Sequence, residues 1–248
     1  MTGGGLVPAV EEAFREARDL DAPLNHRLSV VADRVRTLNP VFAEGVDRLI
    51  ARLQHADAGA GAPGVGDAMP NFVLPDQSGR LVTLEAAAAN GPVAISFNRG
   101  HWCPYCRLNL AAMADAYPEI AATGGQVLAI VPERQRFTAV LTADTGATFP
   151  VLTDMDNGYA LSLNLAVWVG AEMTVLIARA GWDIPKYQDN NAWVLPIPAT
   201  FVVGTDGIIV ARHIEPDYRR RMEMADLITS LRLAATVRTR SSPLREAD

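Results

Sequence analysis

The sequence predicts an α/β fold, a three-layer sandwich around a mixed central sheet with a helical extension at its N-terminus. Three observations carry that reading. Short apolar runs alternate with helical patterns from about Phe72 onward, as strands joined by crossover helices require. The turn signal Asp206-Gly207, between two β-branched runs, adds an antiparallel pair and makes the sheet mixed. The chain up to His55 instead shows helical periodicity, ahead of an Ala- and Gly-rich stretch.

Taken in order, Pro8 to His55 reads as helical, with Leu28, Val31, Val35 and Leu38 on one face. Asn39-Pro40 should break the run, because the residue before a proline avoids helical backbone. Val41 to Leu53 resumes it, with Phe42, Val46, Leu49, Ile50 and Leu53 on one stripe. Ala56 to Gly66, with Pro63, reads as a linker. The chain then divides into an arm and linker over 1–60, a main domain over 61–236 and a polar tail over 237–248. In the main domain Phe72 to Leu74 and Leu81 to Leu84 flank the turn Asp76 to Gly79, a hairpin signal. Val93 to Phe97 is a buried strand, followed by a helix over Arg107 to Tyr117. Gln126 to Val131 is the next strand, Glu133 to Leu141 the next helix, and Pro150 to Leu152 a short strand ended by the polar turn Thr153 to Gly158. Helical patterns run over Tyr159 to Leu165 and Ala171 to Ala180. Gly181 to Pro196, rich in Asp, Asn and Gln, reads as an exposed insertion. Thr200 to Val203 and Ile208 to Arg212 form the closing hairpin. A helix over Asp217 to Leu233 ends the fold, with Tyr218 to Arg221 as a solvated basic face at its start.

With 49% hydrophobic and 20% charged residues the composition is that of a globular protein and too apolar for disorder. A formal net charge of −6 offers no basic field to nucleic acid or anionic lipid. No stretch reaches the roughly 18 uninterrupted apolar residues of a membrane span. Met1 to Gly5 shows no basic segment leading into the apolar core of a secretory signal. A cytoplasmic protein is expected.

Trp102-Cys103-Pro104-Tyr105-Cys106 contains the only two cysteines of the chain. Two thiols at this spacing can close a small disulfide ring. Between a strand and a helix, Cys-x-x-Cys reads first as a redox pair, and in a reducing compartment its disulfide is transient and catalytic. At a first helical turn, free backbone N–H groups and the positive dipole end favour a Cys103 thiolate. Pro104 suits that turn because its missing N–H costs little there. Cys106, one turn on, faces the same side and is expected to be less exposed. The expected chemistry is attack by Cys103 on a peroxide or disulfide, then attack by Cys106 on the oxidised Cys103. Asn98 to Trp102 forms the approach loop, in which Gly100 leaves room for substrate near the backbone. The competing readings are inert buried cysteines and a structural zinc site. Zinc would need four ligands, and the chain offers only His101 next door, the remote His213 and no second Cys-x-x-Cys, so no metal or cofactor is expected. Asp154, Asp156 and Asn157 read as a turn or helix cap, His101 as an exposed loop residue, and Trp168, Trp182 and Trp193 as packing.

The run Arg99 to Arg107, Arg-Gly-His-Trp-Cys-Pro-Tyr-Cys-Arg, resembles the peroxiredoxin-like branch of the alkyl hydroperoxide reductase/thiol-specific antioxidant family, in the thioredoxin superfamily. So do Gly66 to Asp76 ahead of the first strands, Phe149 to Asp154, Pro196 to Val203 and Asp217 to Arg221; the resemblance covers about Gly66 to Leu233. It implies a thioredoxin-like fold and peroxidase chemistry. A thiolate attacks the peroxide oxygen, becomes a sulfenic acid, condenses with a resolving thiol and is reduced by thioredoxin or a similar donor. By position Cys103 would be the peroxidatic residue and Cys106 the resolving one. Two places depart from the family pattern. Typical members carry Thr or Ser where Gly100 stands, and an Arg shortly before the late strand, where this chain has Pro198. Arg99 or Arg107 is the candidate substitute cation. Pro198, in Ile197-Pro198-Ala199-Thr200, instead resembles the cis-proline that faces the Cys-x-x-Cys of thioredoxin-like oxidoreductases. Trp102 also matches their arrangement and is a candidate shield for the thiolate. The substrate-side residues expected are therefore Arg99, Gly100, Trp102 and Pro198.

The function expected is a thiol-dependent peroxidase for hydrogen peroxide or organic hydroperoxides, working through a Cys103 sulfenic acid and a Cys103–Cys106 disulfide and recycled by a thioredoxin-like donor. A protein thiol-disulfide oxidoreductase with little peroxidase activity is the alternative, and a non-enzymatic redox switch a third reading. The helical arm, too small for a strong core of its own, is expected to pack on the main domain or on a second subunit in a homodimer.

Overall fold

The computed structural model describes residues 6–240, so Met1 to Gly5 and the part of the expected tail beyond 240 lie outside the described residues. The arm consists of helices α1 (Leu6–Asp19), α2 (Leu24–Leu38) and α3 (Pro40–His55). The break at Asn39-Pro40 is present and has a mechanism. The Asn39 side chain accepts the Phe42 N–H at 3.0 Å and caps α3, with Pro40 in its first turn.

After the hairpin β1 (Val73–Pro75) and β2 (Leu81–Thr83) and the short α4 (Leu84–Ala88), β3 (Val93–Phe97) leads into α5 (Pro104–Asp115) and α6 (Tyr117–Ala122). Next come β4 (Gln126–Val131), α7 (Gln135–Thr145), β5 (Val151–Thr153), α8 (Gly158–Ser162) and β6 (Ala166–Trp168). The chain closes with α9 (Ala171–Ala180), α10 (Ile184–Gln188), β7 (Val194–Pro196), β8 (Ala199–Val203), β9 (Ile209–Ile214) and α11 (Met224–Arg240). The central sheet has the order β5-β4-β3-β8-β9. β3, β4 and β5 are parallel, while β8 and β9 join antiparallel, so the sheet is mixed. Alternation along the strands sends Val93, Ile95 and Phe97 to one face, under α4 and α8, and Ala94 to the other, under α5, α6, α7 and α11. This is the thioredoxin-like sandwich that the motif order implies.

Helix α5 is buried on two sides. Leu110 and Met113 face the sheet. Tyr105, Cys106, Leu108 and Ala112 face a second core built with the arm, where Val10, Phe14, Leu28, Val31, Phe42 and Leu49 also lie. The arm therefore adds a layer over the helix that carries the cysteines, and its apolar face is spent within its own chain. That face gives no reason to expect a homodimer. Because the arm and the redox helix share one core, Leu28→Ala should cost roughly 2–5 kcal/mol. Urea unfolding followed by tryptophan fluorescence and by circular dichroism should give coincident transitions; a separate early transition of the arm would contradict the shared core.

Three stretches differ from the sequence reading. Gly181 to Pro196 is not an exposed insertion: it contains α10 and β7, and Trp182, Ile184, Gln188 and Leu195 are buried. Asp183 accepts the Lys186 N–H at 3.1 Å and caps α10, so the polar residues serve the turns around a packed apolar strip. Glu133 lies outside α7, because Arg134 is extended and the Glu133 carboxylate is held elsewhere. The last helix starts at Met224, not Asp217, and runs through 237–240. Asp217 instead closes a turn, accepting the Arg219 N–H at 3.1 Å and the Arg219 guanidinium at 2.8 Å. Tyr218, Arg221 and Met222 point inward.

Candidate active site

β3 ends at Phe97, and a buried polar staple holds the loop that follows. Asn98 donates to the Ser96 carbonyl at 2.9 Å and its hydroxyl at 3.1 Å, and Asn109 of α5 donates to the same hydroxyl at 3.2 Å. Cys103 is the N-cap of α5, with extended backbone (φ −92°, ψ 111°), and Pro104 occupies the first turn. The Cys103 carbonyl accepts the N–H groups of Cys106 and Arg107, each at 3.1 Å. Both sulfurs therefore lie at the helix start, as the spacing requires. Both are also buried, Cys103 1% and Cys106 0% exposed, and both are free thiols.

The charge-stabilising groups do not favour Cys103. The Arg99 N–H donates to Cys106 Sγ at 3.2 Å and the Arg221 guanidinium reaches it at 3.5 Å. Burial alone pushes both thiols up. At Cys103 burial is reinforced by the hydrogen bond to Cys106 and by its negative charge, and the thiol rises well above its ordinary value. At Cys106 burial is outweighed by the bond from Cys103, by Arg221 and by Arg99, and the thiol falls below its ordinary value. Of the two sulfurs, Cys106 is therefore the one whose surroundings favour negative charge. This corrects the expectation of a Cys103 thiolate: α5's N-terminus is present, but the two arginines and the loop N–H converge one turn further on.

Access follows the opposite order. Cys103, not Cys106, lines a narrow cleft of about 30 Å³ beside Arg99, Trp102, Tyr105 and Tyr218. Its roof comes from the arm: Val10 of α1, Ala32 and Val35 of α2, and Phe42 and Val46 of α3. Trp182 and Ile177 close one side. Trp102 stands 5.8 Å from Trp182, which is 5.8 Å from Phe42, so Trp102 is a wall of the cleft.

Arg99 is buried, with its guanidinium 3.8 Å from the Tyr218 ring and 4.9 Å from the Trp102 ring, and it faces both sulfurs. Of the two candidate arginines it is the one at the site, where Arg221 is a second cation. Arg107 is not: it pairs with Glu11 and Asp144 and lies over Phe14, pinning α1 to α5. Pro198 is corrected on two points. Its peptide bond is trans, and it does not line the cleft. It lines a smaller neighbouring cavity, which shares Arg99 and Tyr218 with the cleft but not Cys103.

Gly100 gives no room to substrate. Its φ is +130°, and a Cβ there would sit 2.3–2.6 Å from the Glu133 carboxylate, which fills the space. Gly100→Ala is therefore expected to cost roughly 1–3 kcal/mol from backbone strain alone, read as a lower urea midpoint; an unchanged midpoint would contradict the close approach. Glu133 is 0% exposed; one carboxyl oxygen accepts the His101 backbone N–H at 2.7 Å and the other lies 2.8 Å from the imidazole Nδ1. His101 is thus clamped, its ring stacked on Phe137 and edge-on to Tyr187, not free on a loop.

Sequence reasoning missed Glu133, Tyr218 and Arg221. Glu133 had a signal, since it follows the carboxyl end of β4, beside the strand that delivers the cysteines, where sites in α/β sheets gather. Tyr218 and Arg221 lie in the Asp217 to Arg221 motif of the family resemblance, but nothing local says that Arg221 meets Cys106, 115 positions away, through an irregular turn. Among the described residues no cluster of three or more His, Cys, Asp or Glu side chains could hold a metal, and no helix is long and apolar enough to cross a membrane.

The sheet order, with the Cys-x-x-Cys at its strand-to-helix junction, is that of the thioredoxin superfamily. The sequence profile of the AhpC/TSA family matches residues 65–212, and the chain belongs to that family. Over 180 residues it is 28% identical to the 1-Cys peroxiredoxin PER1 of Hordeum vulgare, covering 69% of this chain and 74% of that one. Over 159 residues it is 24% identical to the thiol-disulfide oxidoreductase ResA of Bacillus thuringiensis, covering 64% and 75%. Among solved structures, peroxidoxin BcpB of Mycobacterium tuberculosis shares the fold with a TM-score of 0.53 at 20% identity, covering 68% of this chain and 96% of that one. A yeast mitochondrial 1-Cys peroxiredoxin does so with a TM-score of 0.54 at 11% identity, covering 75% and 83%.

Proposed function

We propose that this protein is a thiol-dependent peroxidase that reduces hydrogen peroxide or small organic hydroperoxides through Cys103 and Cys106. The observation that carries this reading is the burial of Cys103 at the foot of a narrow cleft roofed by the arm. A volume of about 30 Å³ suits a group of one or two oxygen atoms. The alternative, exchange with a disulfide of another protein, needs a broad surface to meet Cys103. Val35, Phe42 and Val46 stand in its way, and each such buried side chain holds the arm down by roughly 1.5–3 kcal/mol.

The chemistry follows from the two sulfurs. Cys103 passes its proton to Cys106 and attacks one peroxide oxygen; the O–O bond breaks, and the leaving oxygen takes up a proton from solvent to give an alcohol or water. Cys103 is then a sulfenic acid. Cys106, losing its proton, attacks the Cys103 sulfur; the S–O bond breaks, and hydroxide takes up that proton to leave as water. Arg99 and Arg221 stabilise the negative charge while it sits on either sulfur. A thiol donor restores the pair; a thioredoxin-like protein is the donor that the family resemblance implies. The reading goes with a cytoplasmic setting, where reduced thiols are supplied.

With dithiothreitol as donor, the protein should consume peroxide catalytically and leave insulin disulfides intact. Insulin reduction without peroxide consumption would overturn the proposal in favour of protein disulfide exchange.

A further inference from the structure

Two features decide which reductant can reopen an oxidised pair. The first is the division of roles between the sulfurs. Cys106 receives the Arg99 N–H and the Arg221 guanidinium, and Arg221 is itself fixed by the carbonyls of Tyr218 and Arg220. Cys103 lines the cleft. In thiol–disulfide exchange the accessible sulfur is attacked, and the partner whose thiolate is better stabilised leaves faster. The site is therefore built for attack at Cys103 with Cys106 as leaving group.

The second feature is the fixing of the roof. Glu223 accepts the N–H groups of Leu24 and Asn25, each at 2.9 Å, and so holds the start of α2. Asp47 of α3 accepts from Arg219 at 2.9 Å, and Arg48 of α3 pairs with Glu172 of α9 at 2.7 Å. With Arg107 pinning α1, all three arm helices are tied down by polar contacts in addition to their shared core. The sulfur can be met by a thin CH2–SH group entering the cleft, and not by a dithiol set in the surface of a folded protein.

We propose that the Cys103–Cys106 disulfide is reduced by a low-molecular-weight thiol that enters the cleft under the arm. This rests on the reading that the pair cycles through its disulfide. A first thiolate attacks Cys103 Sγ; the S–S bond breaks, the Cys106 thiolate leaves toward Arg221, and Cys103 carries a mixed disulfide. A second thiolate attacks the outer sulfur of that mixed disulfide and is released as the symmetrical disulfide of the small thiol. Cys103 takes up a proton, so that two thiols are oxidised for each pair reduced.

The test oxidises the full-length protein with 4,4′-dithiodipyridine, removes the reagent, and follows recovery of both thiols by acid quench and intact mass. Glutathione is compared, at equal thiol concentration, with thioredoxin kept reduced by its reductase and NADPH. Glutathione should be faster, by about tenfold or more, because access limits the protein donor. Thioredoxin equalling or exceeding it overturns the proposal, as does failure of the pair to form a disulfide. Cystine added to Cys106→Ser should place one cysteine on Cys103; an unmodified Cys103 in folded Cys106→Ser also overturns it. If dithiodipyridine oxidises the pair and peroxide does not, the peroxidase reading fails while the two reduction rates still decide this proposal.

Discussion

Cys103→Ser is expected to abolish peroxide consumption, by roughly a thousandfold or more as removal of a nucleophile does, whereas Cys106→Ser should lose turnover but keep one oxidation event at Cys103. The asymmetry comes from access and charge together. Cys103 is the sulfur at the cleft, so no other group in the chain can replace it. Burial still raises the Cys103 thiol in Cys106→Ser, but the neighbouring hydrogen bond and anion that raise it further are gone while Arg99 and Arg221 still lower it, so its ionisation becomes easier than in the wild type. With no resolving thiol its sulfenic acid should persist and be trapped by dimedone. Dimedone labelling of Cys103→Ser at Cys106, with retained turnover, would reverse the two roles.

Arg221→Met should move the first ionisation of the pair, about 5 at Cys106 in the wild type, upward by about one to two pH units, so that reactivity near pH 5 falls by about tenfold while that at neutral pH changes by about twofold or less. The sign follows from the charge. Arg221 stabilises the Cys106 anion, so removing the cation favours the protonated form and raises the value at which the proton leaves. Reactivity that persists below the ordinary thiol range in the wild type should retreat toward it in the variant. Iodoacetamide alkylation across pH measures this without any peroxide. Arg221→Lys, which keeps the charge, should recover most of the shift. Superimposable pH profiles for wild type and Arg221→Met, with both folded, would remove Arg221 from the site.

Much of the fold was legible because its strands are short, apolar and separated by polar turns. β3, β4 and the β8–β9 hairpin fall where periodicity and Asp206-Gly207 place them. Where the reading failed, tertiary packing overrode a local signal. Asp217 to Arg221 looks like a charged helix start, yet Asp217 ties back Arg219 and the next turn sends Arg221 into the core. Gly181 to Pro196 looks like loop because its turn residues outnumber the buried strip of Trp182, Ile184 and Leu195. The cysteines, their spacing and their place before α5 were plain, and Arg99 was among the candidates. The distribution of charge between the sulfurs was not, since it depends on Arg221. The arm was recognised as helical, but nothing local says which surface an apolar stripe will cover. The near absence of a polar face along Pro104 to Met113 is the one hint that α5 is covered on both sides.

The central claim is that a buried dithiol, roofed by the chain's own arm, reacts with peroxide. The most direct measurement mixes reduced protein with one equivalent of hydrogen peroxide in a stopped-flow instrument and follows tryptophan fluorescence, with thiols counted after quench. Trp102 and Trp182 flank the cleft and should report the reaction. The account predicts a fast fluorescence change, loss of both thiols and no change in Cys103→Ser. Thiols that survive the peroxide while the same protein exchanges readily with a protein disulfide would contradict it.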